Sequence, residues 1–227
     1  MPYAKRALGF AYYEIGLHGA DSRAPRVIYF HGRGGRAEGV GHPIDVGIPA
    51  WVLVPQAKLH LPGSDGFAWS AFSVTSNRPL ELAATLLQTA NEVARFLDQV
   101  RRNEGEQFVL SGFSQGSMLA LALAFFHPDL CHSVVVGAGH VSRALEPQRM
   151  LETHKKIPIR VVQGSRDQIV PSAAMIETSE RLRALGYDIE THVFDHDEHS
   201  LNGAMMDAFA GFMQTALSTQ MNAQSQV

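Results

Sequence analysis

A serine between two glycines, an aspartate after a later strand and three histidines near the end of the chain are the residues with which this sequence could do chemistry. Gly112-Phe-Ser114-Gln-Gly116 follows an apolar run from Gln107 and opens an Ala- and Leu-rich stretch that ends at Phe126. The run reads as a buried strand. The stretch reads as a helix hydrophobic on every side, which belongs in a core. G-x-S-x-G between strand and helix is the pattern of a nucleophile elbow, in which the serine hydroxyl is pushed out of the sheet. A Cβ at either flanking glycine would crowd the turn or a neighbouring strand. The Gln115 N–H then lies at the helix N-terminus, where unpaired donors and the helix dipole favour an anion. Five residues can match such a pattern by chance; the strand before and the helix after give it weight.

A serine hydroxyl is a poor nucleophile without a base, and the base needs an acid to orient it. Elbow serines take these partners from later strand ends, acid first and histidine second. Asp167 follows the strand that ends at Gly164, on the carboxyl edge where open α/β sheets place their sites. The alternative for Asp167 is a turn or N-cap aspartate. His192, His196 and His199 lie near the end of the last strand: His192 within it, His196 at the start of the loop, His199 just before the final helix. His199 is preferred as the base and His196 is its rival, while His31 and His140 follow the wrong strands. A metal site built from the three histidines and their interleaved acids is not expected. A His-x3-His pair shares a face only on a helix, and Thr191-His-Val-Phe reads as strand.

The elements that must position these residues alternate along the chain. Strands are expected at Leu8 to Ile15, Arg26 to His31, Ala50 to Pro55, Ser133 to Gly137, Pro158 to Gly164 and Asp188 to Phe194, besides the one before Ser114. Helices are expected at Leu80 to Arg102, where Leu82, Leu86, Val93, Phe96 and Leu97 recur at helical spacing, at Ser172 to Leu185, and at Leu201 to Leu217. A loop or short helix runs on to Lys156. Gln56 to Pro79 is a long loop, and loops of that length inside a domain are usually functional. Strands alternating with helices give right-handed crossovers and a mostly parallel sheet with helices on both faces. No linker or cap-sized insertion interrupts the pattern, so residues 1–217 are expected to form a single α/β domain without a large cap, and the polar residues 218–227 a disordered tail.

Composition narrows the function classes. A hydrophobic fraction of 45% supports a sizeable core, and a formal net charge of -3 gives no basic field for nucleic acid. No window approaches a membrane span, and the N-terminus lacks the apolar stretch of a signal peptide. Cys131 is the only cysteine, which excludes an internal disulfide framework and fits a cytoplasmic location.

Five segments in order carry a resemblance to a known family. They are Tyr29-Phe-His-Gly-Arg-Gly-Gly35, Val54-Pro-Gln-Ala57, Gly66-Phe-Ala-Trp69, Gly112-Phe-Ser-Gln-Gly-Ser117, and Gly164-Ser-Arg-Asp-Gln-Ile-Val-Pro171 with the later His199-Ser200. Together they resemble the phospholipase/carboxylesterase family of α/β-hydrolases, which includes acyl-protein thioesterases. The resemblance implies the α/β-hydrolase fold, a triad of Ser114, Asp167 and His199, and an oxyanion hole made by the backbone N–H groups of Arg33 and Gln115. It also implies hydrolysis of carboxylic esters, or thioesters, through an acyl-serine, with no cofactor and no metal; the lack of a long cap insertion, which leaves a shallow pocket, points to short or medium acyl chains.

The implied partner is a small-molecule ester, and self-association as a homodimer stays open. Trp69, Phe72 and Phe113 are the candidates for a shallow apolar substrate pocket. A dienelactone-hydrolase-like or thioester-specific hydrolase is the nearest alternative, and an inactive hydrolase fold kept for ligand binding is the alternative from another class. Arg33 departs from the family pattern, which usually has an acidic or neutral polar residue soon after the His-Gly pair. Its guanidinium either faces the pocket mouth and favours anionic substrates, or points away or pairs with an acid such as Glu38.

Overall fold

The computed structural model describes residues 4–39, 44–141 and 157–224. Among these residues, ten strands and four α-helices follow in the order β1 (Lys5–Ala7), β2 (Phe10–Leu17), β3 (Arg26–Phe30), β4 (Ala50–Pro55), β5 (Leu59–His60), β6 (Phe67–Ala68), α1 (Pro79–Val100), β7 (Phe108–Phe113), α2 (Gln115–Phe126), β8 (Cys131–Gly137), β9 (Ile159–Gly164), α3 (Ser172–Ala184), β10 (Ile189–Phe194) and α4 (Gly203–Gln224). Eight strands make one sheet in the order β1-β2-β4-β3-β7-β8-β9-β10. Only the β1/β2 and β2/β4 pairs are antiparallel; from β4 onward every neighbour is parallel. The sheet is thus mostly parallel and covered on both faces, as the alternation of strands and helices requires.

Strand periodicity divides the core in two. Ile28, Phe30, Leu110, Val134 and Val136 point into a cluster with Leu82, Leu86, Val93, Phe96 and Leu97 of α1, with α2, and with Met175 and Leu182 of α3. Their neighbours Val27, Tyr29, Val109 and Val135 point to the other face, where Met205, Phe209, Met213 and Leu217 of α4 cover them. Helix α2 is buried along its whole length, because it lies on the sheet and beneath α1. That explains a sequence with no polar face.

The chain departs from its expected elements in three places. The early strand is a hairpin, β1 turning into β2 at Leu8 and Gly9, both of which take positive φ. The long loop after β4 is not featureless, since β5 and β6 pair with each other and β6 bridges back to Gly35. The C-terminal helix does not end at Leu217. It runs to Gln224, and Gln220 is buried with its amide donating to the Gln107 carbonyl at the entry to β7. The disordered tail expected from residue 218 is corrected accordingly: the stripe Met213, Leu217, Gln220 keeps helical spacing, and a polar residue in the last buried position disguised it. The loop or short helix expected as far as Lys156 falls mostly within residues 142–156, outside the described residues.

The tightest joint of the fold is where α2 meets β3. A Cβ added at Gly116 would lie 2.0 Å from the Phe30 carbonyl oxygen, and one at Gly112 would lie 2.7 Å from the Gly116 carbonyl carbon. Both obstacles are backbone, which cannot rotate away. Gly116→Ala is therefore expected to destabilise the protein by at least about 3 kcal/mol, at the upper end of overpacking costs. Urea unfolding measures this, and an unchanged midpoint would mean that α2 does not sit against β3 as described.

Candidate active site

Ser114 occupies the turn between β7 and α2 with φ 56 and ψ -121, a backbone conformation that an L-residue adopts only under constraint. Its own N–H is tied to Gly137 O of β8 at 3.0 Å, and the close approach at Gly112 and Gly116 leaves the turn no room to relax. The Oγ is thereby presented at the carboxyl edge of the sheet. Gln115, the first residue of α2, has an N–H without an intrahelical acceptor.

Two loops from strands farther along the sheet meet Ser114. His199 Nε2 lies 2.9 Å from Ser114 Oγ, and His199 Nδ1 lies 2.7 Å from Asp167 Oδ2. The loop after β10 is knitted to the loop after β9: Ser165 N donates to Phe194 O, Arg166 N to Asp197 O, and His196 N to Ser165 Oγ. Gly164 allows this contact, because a Cβ there would lie 2.4 Å from Asp197 O. The Asp167 side chain is fully buried, and its carboxylate collects four donors. Oδ1 accepts from Ile169 N and Val170 N, while Oδ2 accepts from Gln163 Nε2 and from the His199 ring. So the turn aspartate and the histidine partner are one residue, each oxygen serving one task. Gln163 is buried on β9 and was not anticipated; only its position four residues before the acid could have pointed to it.

Among the three clustered histidines, His199 is the one in contact with Ser114. His196 is exposed at φ 72, a turn residue whose backbone rather than ring is engaged. His192 projects from the edge strand β10, bonds Glu190 and packs on Phe212.

The segment His31 to Gly35 forms the other side of the site. His31 is buried, its Nδ1 donating to Gly32 O at 2.8 Å and its Nε2 accepting from Ala57 N at 3.2 Å and Gln56 Nε2 at 3.0 Å. A carbonyl on one nitrogen and two donors on the other suit the neutral Nδ1–H tautomer. Burial holds its pKa below the usual imidazole value, with the Gly32 carbonyl pulling weakly the other way. Strand β6 packs on this segment: Gly34 N donates to Phe67 O, and Gly66 lies so close that a Cβ would meet the Gly34 carbonyl at 2.3 Å.

A cavity of about 610 Å³ opens beside Ser114, lined by Tyr29, His31, Gly32, Gly34, Gly35, Arg36, Glu38 and Phe113. Two of its lining residues are neighbours of the triad residues: Gly32 abuts the Ser114 Cβ, and the Phe113 ring packs on the His199 ring at 4.9 Å. Phe113 is among the residues that line this cavity. Trp69 is not: it is 2% exposed, meets Phe30 edge-on and His31 at a tilt, and donates Nε1–H to His31 O. A ring so enclosed offers no surface to a ligand, and its expected place in the pocket is corrected to that of a support beneath the glycine segment. Phe72 is half-buried under the Arg78 guanidinium, away from this cavity's wall. Among the described residues Arg33 pairs with no acid; its guanidinium donates to Ser70 O and Ala71 O. Glu38 is taken by Tyr13 and Arg36 instead.

A sheet of this order, an elbow serine on its fifth strand in spatial order, and acid and histidine loops from its far end define an α/β-hydrolase fold; among the described residues no cap domain covers the site. A model of the Phospholipase/Carboxylesterase family matches residues 16–217, and the chain belongs to that family of hydrolases. Similar solved structures include esterase PE8, with 20% identity, a TM-score of 0.80 and coverage of 91% of this chain and 99% of that one. Acyl-protein thioesterase 2 of Zea mays shares 16% identity at a TM-score of 0.72, covering 95% of this chain and 100% of that one. The Bacillus cereus carboxylesterase shares 18% at a TM-score of 0.72, with 90% and 94% covered. In sequence, the chain is 28% identical over 123 residues to lysophospholipase-like protein 1 of Mus musculus; this is 53% of the chain and spans about half, 51%, of that relative.

The buried histidines set a pH dependence of stability. His31, His127 and His140 all have folded pKa values lowered by burial, so the unfolded chain takes up their protons first. The stability that depends on their neutral forms is complete above about pH 6.5 and is lost as the pH falls from there toward the folded values. Urea unfolding between about pH 5 and pH 8 should show that decline, and His31→Gln should make it shallower by up to one proton. An identical slope in the variant would place no unfolding-linked proton on His31.

Proposed function

We propose that the chain is a serine carboxylesterase that hydrolyses short- or medium-chain carboxylic esters through an acyl-serine intermediate, thioesters being open to the same steps. The observation that carries this reading is the continuous line of hydrogen bonds from Ser114 Oγ through the His199 ring to Asp167. His199 Nε2 takes the hydroxyl proton as Ser114 Oγ attacks the carbonyl carbon. The imidazolium so formed is held by the buried carboxylate of Asp167, which is itself fixed by donors from Gln163, Ile169 and Val170. The carbonyl oxygen becomes an oxyanion between the N–H groups of Arg33 and Gln115; loss of one such donor commonly costs about 3 kcal/mol of transition-state stabilisation. Nε2 returns the proton to the leaving alcohol or thiol. Water then repeats the sequence on the acyl-serine, and the acid is released. These steps draw on no metal or organic cofactor, and the partner they require is a small-molecule ester.

The cavity beside Ser114 supports the substrate class. Its volume of about 610 Å³ falls within the range of small-molecule pockets, and its floor of glycines and Phe113 suits an apolar group. Each methylene buried there adds about 0.8 kcal/mol until the space is filled. The value of kcat/KM across a series of p-nitrophenyl esters should therefore peak at short or medium acyl chains and then fall. A continuous rise through long chains would point to a groove that extends beyond this cavity.

The roles are tested together. Ser114→Ala and His199→Ala should each lower kcat by at least about 1000-fold with the fold intact, because triad members act as a unit. His196→Ala should lose little. A serine-reactive phosphonate should add once, to Ser114, by mass spectrometry. Retention of more than about a tenth of the activity in Ser114→Ala would remove the nucleophile from its role.

A further inference from the structure

The loop from Trp69 to Phe72 makes contacts that the hydrolytic steps leave unexplained. Ser70 O accepts a hydrogen bond from Arg33 Nη1 at 2.7 Å and another from Gln115 Nε2 at 3.4 Å. These are the side chains of the two residues whose backbone N–H groups would hold the oxyanion. The grip extends to either side. Gln115 Oε1 accepts from Trp69 N at 2.8 Å and Ser70 N at 3.3 Å, Gln115 Nε2 also donates to Phe72 O at 3.1 Å, and Arg33 Nη2 reaches Ala71 O at 3.4 Å. The loop is itself anchored from behind. Thr89 Oγ1 donates to Trp69 O, Ser70 Oγ bonds Thr85 Oγ1 on α1, and Trp69 Nε1 donates to His31 O.

An oxyanion hole works only if its donors keep a fixed separation as the carbonyl carbon becomes tetrahedral. The two arms here differ in stiffness. Gln115 opens a helix buried in the core, whereas Arg33 lies among Gly32, Gly34 and Gly35, the most permissive backbone in the chain. We infer that Trp69–Phe72 is a strut between the two arms, and that the Arg33 guanidinium is a positioning residue that ties the soft arm to the rigid one through the Ser70 carbonyl. This rests on the reading of Ser114 as nucleophile. It gives the arginine a role in which its charge meets no anion: its two bonded nitrogens are committed to carbonyl oxygens of the loop. Arg33 is exposed, so each bond is modest in water, and the effect expected of it is a displacement of its own amide rather than loss of the fold.

The test is Arg33→Met, which keeps the aliphatic stem and removes the donors, assayed on a neutral ester beside Ser114→Ala. Against wild type, kcat should fall roughly tenfold with KM within about twofold, a fraction of the hundredfold or more that follows removal of an oxyanion donor. Affinity for a trifluoromethyl ketone, which forms the tetrahedral adduct, should fall by the same factor as kcat/KM. Millimolar guanidinium ion should restore part of the rate, and the thermal midpoint should stay within a degree or so, as for a surface change. An unchanged kcat in Arg33→Met, with Ser114→Ala inactive, would overturn the strut and leave the nucleophile in place. A loss confined to anionic esters would overturn it in favour of charge recognition. Activity that survives Ser114→Ala would remove the hydrolytic reading and the strut together.

Discussion

The rest of the structure depends on how closely the backbone of α2 approaches that of β3. With no side chain at Gly116, the start of the helix comes close enough to the Phe30 carbonyl that a single methyl would overlap it. That contact sets the pitch of the turn, and the turn in turn forces Ser114 to φ 56 and ψ -121. A conformation so sparsely populated persists only where surrounding interactions over-determine it. Here the Ser114 N–H bond to Gly137 and the burial of α2 on the sheet and beneath α1 do so. The same approach explains the sequence of α2: a helix pressed against the sheet and covered by another helix has no use for a polar side.

What reaches the serine is mainly backbone held by backbone. The loop after β10 is fastened to the loop after β9 before either meets Ser114, so His199 and Asp167 arrive as a unit. On the other flank, the glycine segment after β3 is fastened to β6 and supported on Trp69. The two flanks differ in what fixes them. The histidine flank is closed by charge, a buried carboxylate with four donors, while the glycine flank is closed by the neutral ring of His31, which holds three partners in one tautomer. A second proton on the His31 ring would have two donors facing it, and burial already holds that ring below the usual imidazole value.

Most of the sheet and the three residues that meet at the site were legible in the sequence, for identifiable physical reasons. Strands β3, β7, β8 and β9 are buried on both faces and so appear as unbroken apolar runs; α1 is half-buried and shows its spacing. Ser114 and Asp167 follow such runs directly. His199 was harder to separate from His196, because loop geometry and not periodicity decides which ring points inward; the positive φ of His196 turns the chain so that the later residue does. Trp69 misled because a large apolar residue in a long loop looks like pocket lining, whereas its indole N–H had a buried carbonyl to satisfy. The cavity walls were illegible for the opposite reason. Gly32, Gly34 and Gly35 make space by lacking side chains, and Arg36 and Glu38 carry the composition of any exposed turn. The side chain of Arg33 gave no clue either, since its acceptors are main-chain oxygens that no residue pattern records.

The exposure of the histidine bears on the second half of the proposed reaction. The His199 side chain is 20% exposed, against none for Asp167, and Phe113 packs on its ring. A ring sealed as deeply as the carboxylate would strengthen its bond to Ser114 Oγ, since a low dielectric favours every charge-assisted contact inside it. It would also keep out the water that must replace the leaving group before the acyl-serine can break down. The arrangement divides these requirements between residues: the carboxylate is buried, and the ring that in the proposed reaction exchanges a proton with Ser114, the leaving group and then water stays at the boundary. Phe113 covers one side of that ring. In the proposed reaction the cavity would sort substrates and the exposed part of His199 would admit the second reactant, so a change that enlarged the cavity should alter selectivity without altering access of water.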